Sequence, residues 1–153
     1  MIDMHSYALY FITTVSDRSV GAAAKIFSRE YGISLTEWRI LVLLSMESPA
    51  RPGQFVEFAG VDKSNVSRAL GRLRKEGYVI IEPDPQDPRL NLVHTTDAGM
   101  AVHHRTSEIA RRHEEVILEG LNARERVSLL ALLRRLLRNS EALVNNSQTS
   151  ENG

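Results

Sequence analysis

The sequence predicts a mainly α-helical chain with one small antiparallel β hairpin, and three observations carry that reading. Apolar residues recur at helical spacing, most plainly Val66, Ala69, Leu70 and Leu73 at i, i+3, i+4 and i+7. Capping residues and glycines stand at the ends of the periodic runs. Only between Tyr78 and Thr95 does the pattern change, to two β-rich runs separated by Pro/Asp turn chemistry.

Taken in order, the segment from about Ser6 to Tyr31 has helical composition, with aromatic residues Tyr7, Tyr10, Phe11, Phe27 and Tyr31, and Gly32 stops it. Ser34 and Glu37 form a capping-box pair that opens a second helix carrying Trp38, Ile40, Leu41, Leu43 and Leu44. Pro52 is placed to start a third helix, and Gly60 to turn the chain tightly. Asp62 is placed as an N-cap and Gly77 as a C′ residue, which bounds the next helix at about 63–76. Tyr78–Glu82 and Leu90–Thr95 read as strands around the turn Pro83-Asp84-Pro85-Gln86-Asp87-Pro88. Thr96-Asp97 begins a helix to about Leu118, and Gly120 breaks it. Asn122 with Glu125 caps a last helix containing Val127, Leu129, Leu130, Leu132, Leu133, Leu136, Leu137, Leu143 and Val144. The polar end, 146–153, reads as a disordered tail.

The helix at 63–76 has the residue types of a nucleic-acid reader. Its buried face leaves Ser64, Arg68, Gly71 and Lys75 opposite, flanked by Asn65, Ser67, Arg72 and Arg74. All of these except Gly71 donate hydrogen bonds that suit phosphates or base edges. Gly71 costs a helix interior about 1 kcal/mol relative to Ala, a cost compatible with close approach to a DNA backbone. A short helix, a tight turn, this helix and a two-stranded hairpin together make a winged helix-turn-helix. Arg89, at the base of the hairpin loop, suits a narrow minor groove. Asp87 repels phosphate, so its expected role is to orient Arg89 or a helix arginine.

A net charge of +0 argues at first sight against nucleic acid. The distribution reverses that impression: Lys63, Arg68, Arg72, Arg74 and Lys75 face only Asp62 and Glu76 within 62–76, while the acidic excess lies elsewhere. The expected result is a basic stripe with salt-sensitive binding. There is no run of 18 apolar residues and no basic-then-apolar leader, so the chain is expected to be cytoplasmic with no membrane partner. Absence of cysteine excludes disulfides, thiolate metal sites and thiol redox sensing. No nucleophile with a base, no phosphate-cradling glycine loop and no paired carboxylates favour an enzyme. A purely protein-binding winged helix would show apolar anchors on the exposed face of the 63–76 helix, and none is there. His103, His104, Glu108 and His113 are the candidates for a metal set, but no third ligand joins the His104/Glu108 pair, so neither metal nor cofactor is expected.

The order of elements, with L-T-E-W-R-I-L at 35–41, V-D-K-S-N-V-S-R at 61–68, D-P-R at 87–89 and T-T-D-A-G at 95–99, resembles the MarR family of bacterial transcriptional regulators over nearly the whole length. The resemblance implies a homodimer on double-stranded DNA of pseudo-palindromic sequence, with recognition helices in successive major grooves and wings in flanking minor grooves. Base contacts are accordingly expected from Ser64, Asn65, Ser67 and Arg68, and backbone or groove contacts from Lys63, Arg72 and Arg89, with Asp87 in support. The resemblance also implies a small effector, often an aromatic or phenolic acid, that usually releases the DNA. A metal-responsive or effector-independent regulator is the alternative. The chain departs from the family pattern at Ile81 and Pro88, where basic residues are common, at Thr95, where leucine is preferred, and at Gly71, often aspartate. These departures leave the wing more dependent on Arg89.

For the effector, Tyr7, Tyr10, Phe11, Trp38, Arg39 and His104 are the expected cleft walls, the aromatics stacking a ring and Arg39 pairing its carboxylate, unless Arg39 pairs with Glu30. The expected layout is a helical dimerisation region at 1–34 and 97–145, a winged lobe at 35–96 and the tail. The surplus of leucine on the last helix points to the same helix of a second copy.

Overall fold

The computed structural model describes residues 7–150, with side chains described through Ser140. The helices are α1 (Ala8–Tyr31), α2 (Leu35–Met46), α3 (Pro52–Ala59), α4 (Lys63–Lys75), α5 (Asp97–Ile117) and α6 (Ala123–Ser150). Strands β1 (Val79–Pro83) and β2 (Asn91–Thr95) pair antiparallel, with Ile81 opposite Val93. The architecture is mainly α with a small β wing, as expected. Two compact units divide the chain, Met1–Glu114 and Glu115–Gly153.

The local signals explain the element ends. Ser34 Oγ accepts from Glu37 N at 3.2 Å and Glu37 Oε2 accepts from Ser34 N at 2.5 Å, so the capping box is complete. Pro52 occupies the first turn of α3, and Gly60, at φ +63°, makes the left-handed turn that a side chain would strain. At the other end of α4, Tyr78 N donates to Leu73 O and Gly77 N to Arg74 O, the paired bonds of a Schellman stop. Asn122 Oδ1 accepts from Arg124 N and Glu125 N, and Glu125 returns a carboxylate to Asn122 N, starting α6.

The core of the first unit joins α1 to the winged lobe. Phe27 of α1 and Phe55 of α3 are fully buried among Ile40, Leu41 and Leu44 of α2, Val66, Leu70 and Leu73 of α4, and Val79 and Val93 of the wing. Each such large side chain contributes about 1.5–3 kcal/mol by leaving water. Ala23 and Tyr31 pack on the same cluster, as do Val102, Ile109 and Ala110 of α5. One apolar cluster spans the expected boundary at 34/35. A third strand-like contact anchors the wing: Ala50 N donates to Val93 O and Val93 N to Ala50 O. Along β1 the burial alternates, Val79 and Ile81 inward and Ile80 and Glu82 outward. Ile81 thus serves the core at the position where the resemblance led one to look for a basic DNA contact.

Two expectations about the C-terminal region change. α6 continues through Ser150, so residues 146–150 are helical where a tail was expected, consistent with the absence of Gly and Pro from 139–150. Residues 151–153, and the side chains of Leu143 and Val144, lie outside the described residues. Val127, Leu130, Leu132, Leu133, Leu136 and Leu137 of α6 are all exposed.

Candidate nucleic-acid interface

The start of α4 is organised around one carboxylate. Asp62 Oδ1 accepts from Asn65 N at 2.8 Å, capping the helix, and also from Ser64 Oγ at 2.6 Å. Its Oδ2 accepts from Asn65 Nδ2, and Asn65 Oδ1 in turn accepts from Arg68 Nη2. The Ser64 hydroxyl, and next the Asn65 amide, hold the Asp62 carboxyl below its ordinary value. Three of the expected base readers, Ser64, Asn65 and Arg68, are therefore already linked in a chain that ends on Asp62. They are presented in fixed orientation rather than as loose donors, and the other N–H groups of Arg68 stay available to a base edge. Asn65 is half-buried, whereas Lys63, Ser67 and Arg68 are exposed.

Behind this face Val66, Ala69, Leu70 and Leu73 are buried, which fixes the rotation of α4 about its axis. Gly71 faces open space: beyond its own helix, no described residue lies within 4 Å of where a Cβ would lie.

Arg72, expected to contact the DNA backbone or groove, is engaged within the chain. Its Nε lies 3.1 Å from Oε1 of Glu37, and its Nη2 donates to Gly32 O at 3.0 Å. The Arg72 side chain stays 64% exposed, but its guanidinium reaches Glu37, a buried carboxylate only 2% exposed that needs a cation. The sequence marks Glu37 only as a helix cap. No local signal joins it to a residue on α4.

In the wing, Arg89 Nε and Nη2 donate to Asp87 at 3.0 and 3.1 Å, so Asp87 does orient Arg89. That pairing holds the Asp87 carboxyl below its usual range. Asp84, only 3% exposed, accepts from Gln86 N at 2.8 Å and from Arg51 Nη2 at 2.7 Å. Gln86 first, then Arg51, lowers its pKa. Arg51 precedes α3 and also has its own amide held by Gln54 Oε1, so it braces the wing against the helix-turn-helix. This pair escapes sequence reading because its members are 33 positions apart.

Within one copy of the chain the expected effector residues are not all brought together. Tyr10 and Phe11 stack edge to face, at the start of α1. Trp38 packs on Phe27 with ring centres 5.3 Å apart, near the other end of α1. Phe11 and Phe27 are separated by about 24 Å along a helix that rises about 1.5 Å per residue. Tyr7, just before α1, is exposed like Tyr10 and Phe11. Arg39 pairs with neither a ligand-facing group nor Glu30: its Nη1 donates to Ala59 O at 2.8 Å, and Glu30 is taken by Arg29. His104 is exposed beside His103, whose Nδ1 lies 3.3 Å from Ser107 Oγ. Burial, and then the neighbouring His104, lowers the pKa of His103. Glu108 pairs with Arg112, and no cluster of three potential metal ligands occurs among the described residues. One polar atom of this region stands out: among the described residues none accepts from the buried indole N–H of Trp38.

The fold has close counterparts. The family model described as MarR family matches residues 31–90. The transcriptional regulator PecS of Dickeya dadantii is 31% identical over 82% of this chain and 75% of its own length. A MarR family regulator of known crystal structure from Silicibacter pomeroyi is 32% identical, with a TM-score of 0.82 over 90% of this chain and 92% of that one. The chain belongs to the MarR family. Members of the MarR family are transcriptional regulators, not enzymes. The transcriptional repressor NicR of Pseudomonas putida is also 31% identical, over 66% of this chain, and the chain spans 64% of NicR's length. As in other MarR family proteins of known structure, a helix-turn-helix precedes a two-stranded wing here. No described helix is long and apolar enough to cross a membrane.

Proposed function

We propose that this MarR family chain binds double-stranded DNA sequence-specifically as a homodimer and represses transcription until a small aromatic acid releases it. The observation that carries the DNA reading is the face of α4. Ser64, Ser67 and Arg68 project from a helix whose opposite side is locked into the core, and Asp62 holds two of its readers in register. Such a helix end suits base edges in a major groove, with Lys63 on a phosphate and Arg89 in the adjoining minor groove. The name of NicR, a repressor, supports the sign of control. Trp38 supports the effector: an unpartnered indole N–H beside Phe27 suits a planar ligand bearing an oxygen acceptor.

The test is selection of duplexes from a random pool by the purified chain, repeated with Arg68→Ala. A palindromic consensus that loses information at one base pair per half-site in the variant, at a cost of roughly 1–3 kcal/mol, supports base reading. No enrichment by the unaltered chain would sink it. Benzoate-type acids should then raise the melting temperature of the chain, less so with Trp38→Phe.

A further inference from the structure

Glu37 and Arg72 make an ionic contact of α4 that reaches back to the junction of α1 and α2. One oxygen of Glu37 is used by the Ser34 amide in the capping box, and the other faces Arg72 Nε at 3.1 Å. The same guanidinium forks to the carbonyl of Gly32, the residue that ends α1, 40 positions away in the chain. A buried carboxylate stripped of its cation is strongly disfavoured, so Arg72 is held. Its place on α4 is one turn after Arg68. An anchor there restricts both the rotation of α4 and its slide along its axis. Arg39 adds a second tie from α2, to the carbonyl of Ala59 at the end of α3.

We infer that Glu37 and Arg72 form a clasp that positions the recognition helix, and that Arg72 acts on DNA through this clasp rather than by neutralising a phosphate. The inference rests on the reading of α4 as the DNA-reading helix. A phosphate clamp and a positioning clasp differ in what they do to salt dependence and to selectivity. Losing a phosphate contact weakens all duplexes alike and lowers the slope of log K against log salt by about one. Losing a positioning contact weakens only the duplex whose bases must be met in register, and leaves the slope alone.

The experiment titrates the unaltered chain, Glu37→Gln, Arg72→Ala, Arg72→Lys and the Glu37→Gln/Arg72→Ala double variant against the duplex that the unaltered chain selects and against an unselected duplex, across a salt series. Gln at position 37 can still close the capping box, so that substitution removes charge without removing the helix start. The expected result is a loss of about tenfold on the selected duplex for Glu37→Gln and for Arg72→Ala, with the double variant no worse than either single one. The salt slope and the affinity for the unselected duplex should stay unchanged. Arg72→Lys separates the cases even if another variant is too unstable to assay: Lys retains the charge but cannot fork to Gly32 O, so the clasp predicts a loss where a phosphate contact predicts none. Equal weakening of both duplexes with a shallower slope in Arg72→Ala, or unaltered binding by Glu37→Gln or Arg72→Lys, overturns the clasp. Failure of the unaltered chain to select any sequence overturns instead the DNA reading on which it rests.

Discussion

Asp62 does three jobs with two oxygens: it caps α4, holds Ser64, and through Asn65 fixes Arg68. Asp62→Ala should therefore lower the melting temperature by about 2–4 °C, as loss of an N-cap does in a chain of this size. It should also blunt sequence preference, because Ser64 and Arg68 lose their orientation. A variant that melts lower but selects DNA as before would show that the carboxylate serves only as a cap. Acid gives a second check on the same residue. The folded-state pKa of Asp62 lies below its ordinary value near 3.8, so its stabilising contribution is complete above that value and lost as pH falls through the lower folded one. Asp84 and Asp87 are shifted the same way. The amide resonances of Asn65, Gln86 and Arg89 should hold steady from pH 7 to 5 and move only below about 3.8. Movement centred between pH 5 and 7 would contradict the pairings described.

Among the elements, two glycines make opposite demands. Gly71 lies in open space on the exposed face of α4, so Gly71→Ala should stabilise the chain by up to about 1 kcal/mol through helix propensity. Gly99, in the first turn of α5, is packed so closely that a Cβ would lie 2.2 Å from Tyr78 O and 2.8 Å from Thr95 Oγ1. Gly99→Ala must separate α5 from the start of the wing and should cost about 2–4 kcal/mol, at the severe end for single substitutions. Denaturant titration of the two variants measures both signs. A neutral Gly99→Ala would mean that the α5 junction yields. Thr96 reinforces the junction by donating to Gly77 O and accepting from Gly99 N. Gly71 is legible in sequence as a residue on a polar helix face. Gly99 is not, since only the approach of a distant carbonyl makes it obligatory.

For the molecule as a whole, the apolar face of α6 has the largest consequence. Leu130, Leu133 and Leu137 recur at three- and four-residue spacing and remain 39–62% exposed, an arrangement that water disfavours and a second copy would cover. If the proposed homodimer uses this face, Leu133→Glu should convert a dimer to a monomer in sedimentation equilibrium at micromolar concentration, and DNA selection should fail with it. A monomeric unaltered chain, or a variant that stays dimeric, would remove α6 from the interface. Val116, Ile117 and Leu121 are exposed as well and offer further apolar area in the same unit.

The sequence by itself determined the order of helices and strands, their ends apart from that of α6, the buried face of α4 and the membership of the wing. Each of these depends on residues within about four positions of one another, through helical period, caps and turn conformations. The capping box at Ser34 and Glu37, the cap at Asp62 and the pairing of Asp87 with Arg89 are legible for that reason. Tertiary structure alone decided which polar groups meet across elements. Arg72 turns to Glu37, Arg51 to Asp84 and Arg39 to Ala59, each choice set by the packing of helices that the intervening chain does not encode locally. It likewise parted Tyr10 and Phe11 from Trp38, because α1 carries the first two at its start and Phe27, on which Trp38 packs, near its end. A side chain's type limits what it can bond, but its partner is the group that folding brings within reach.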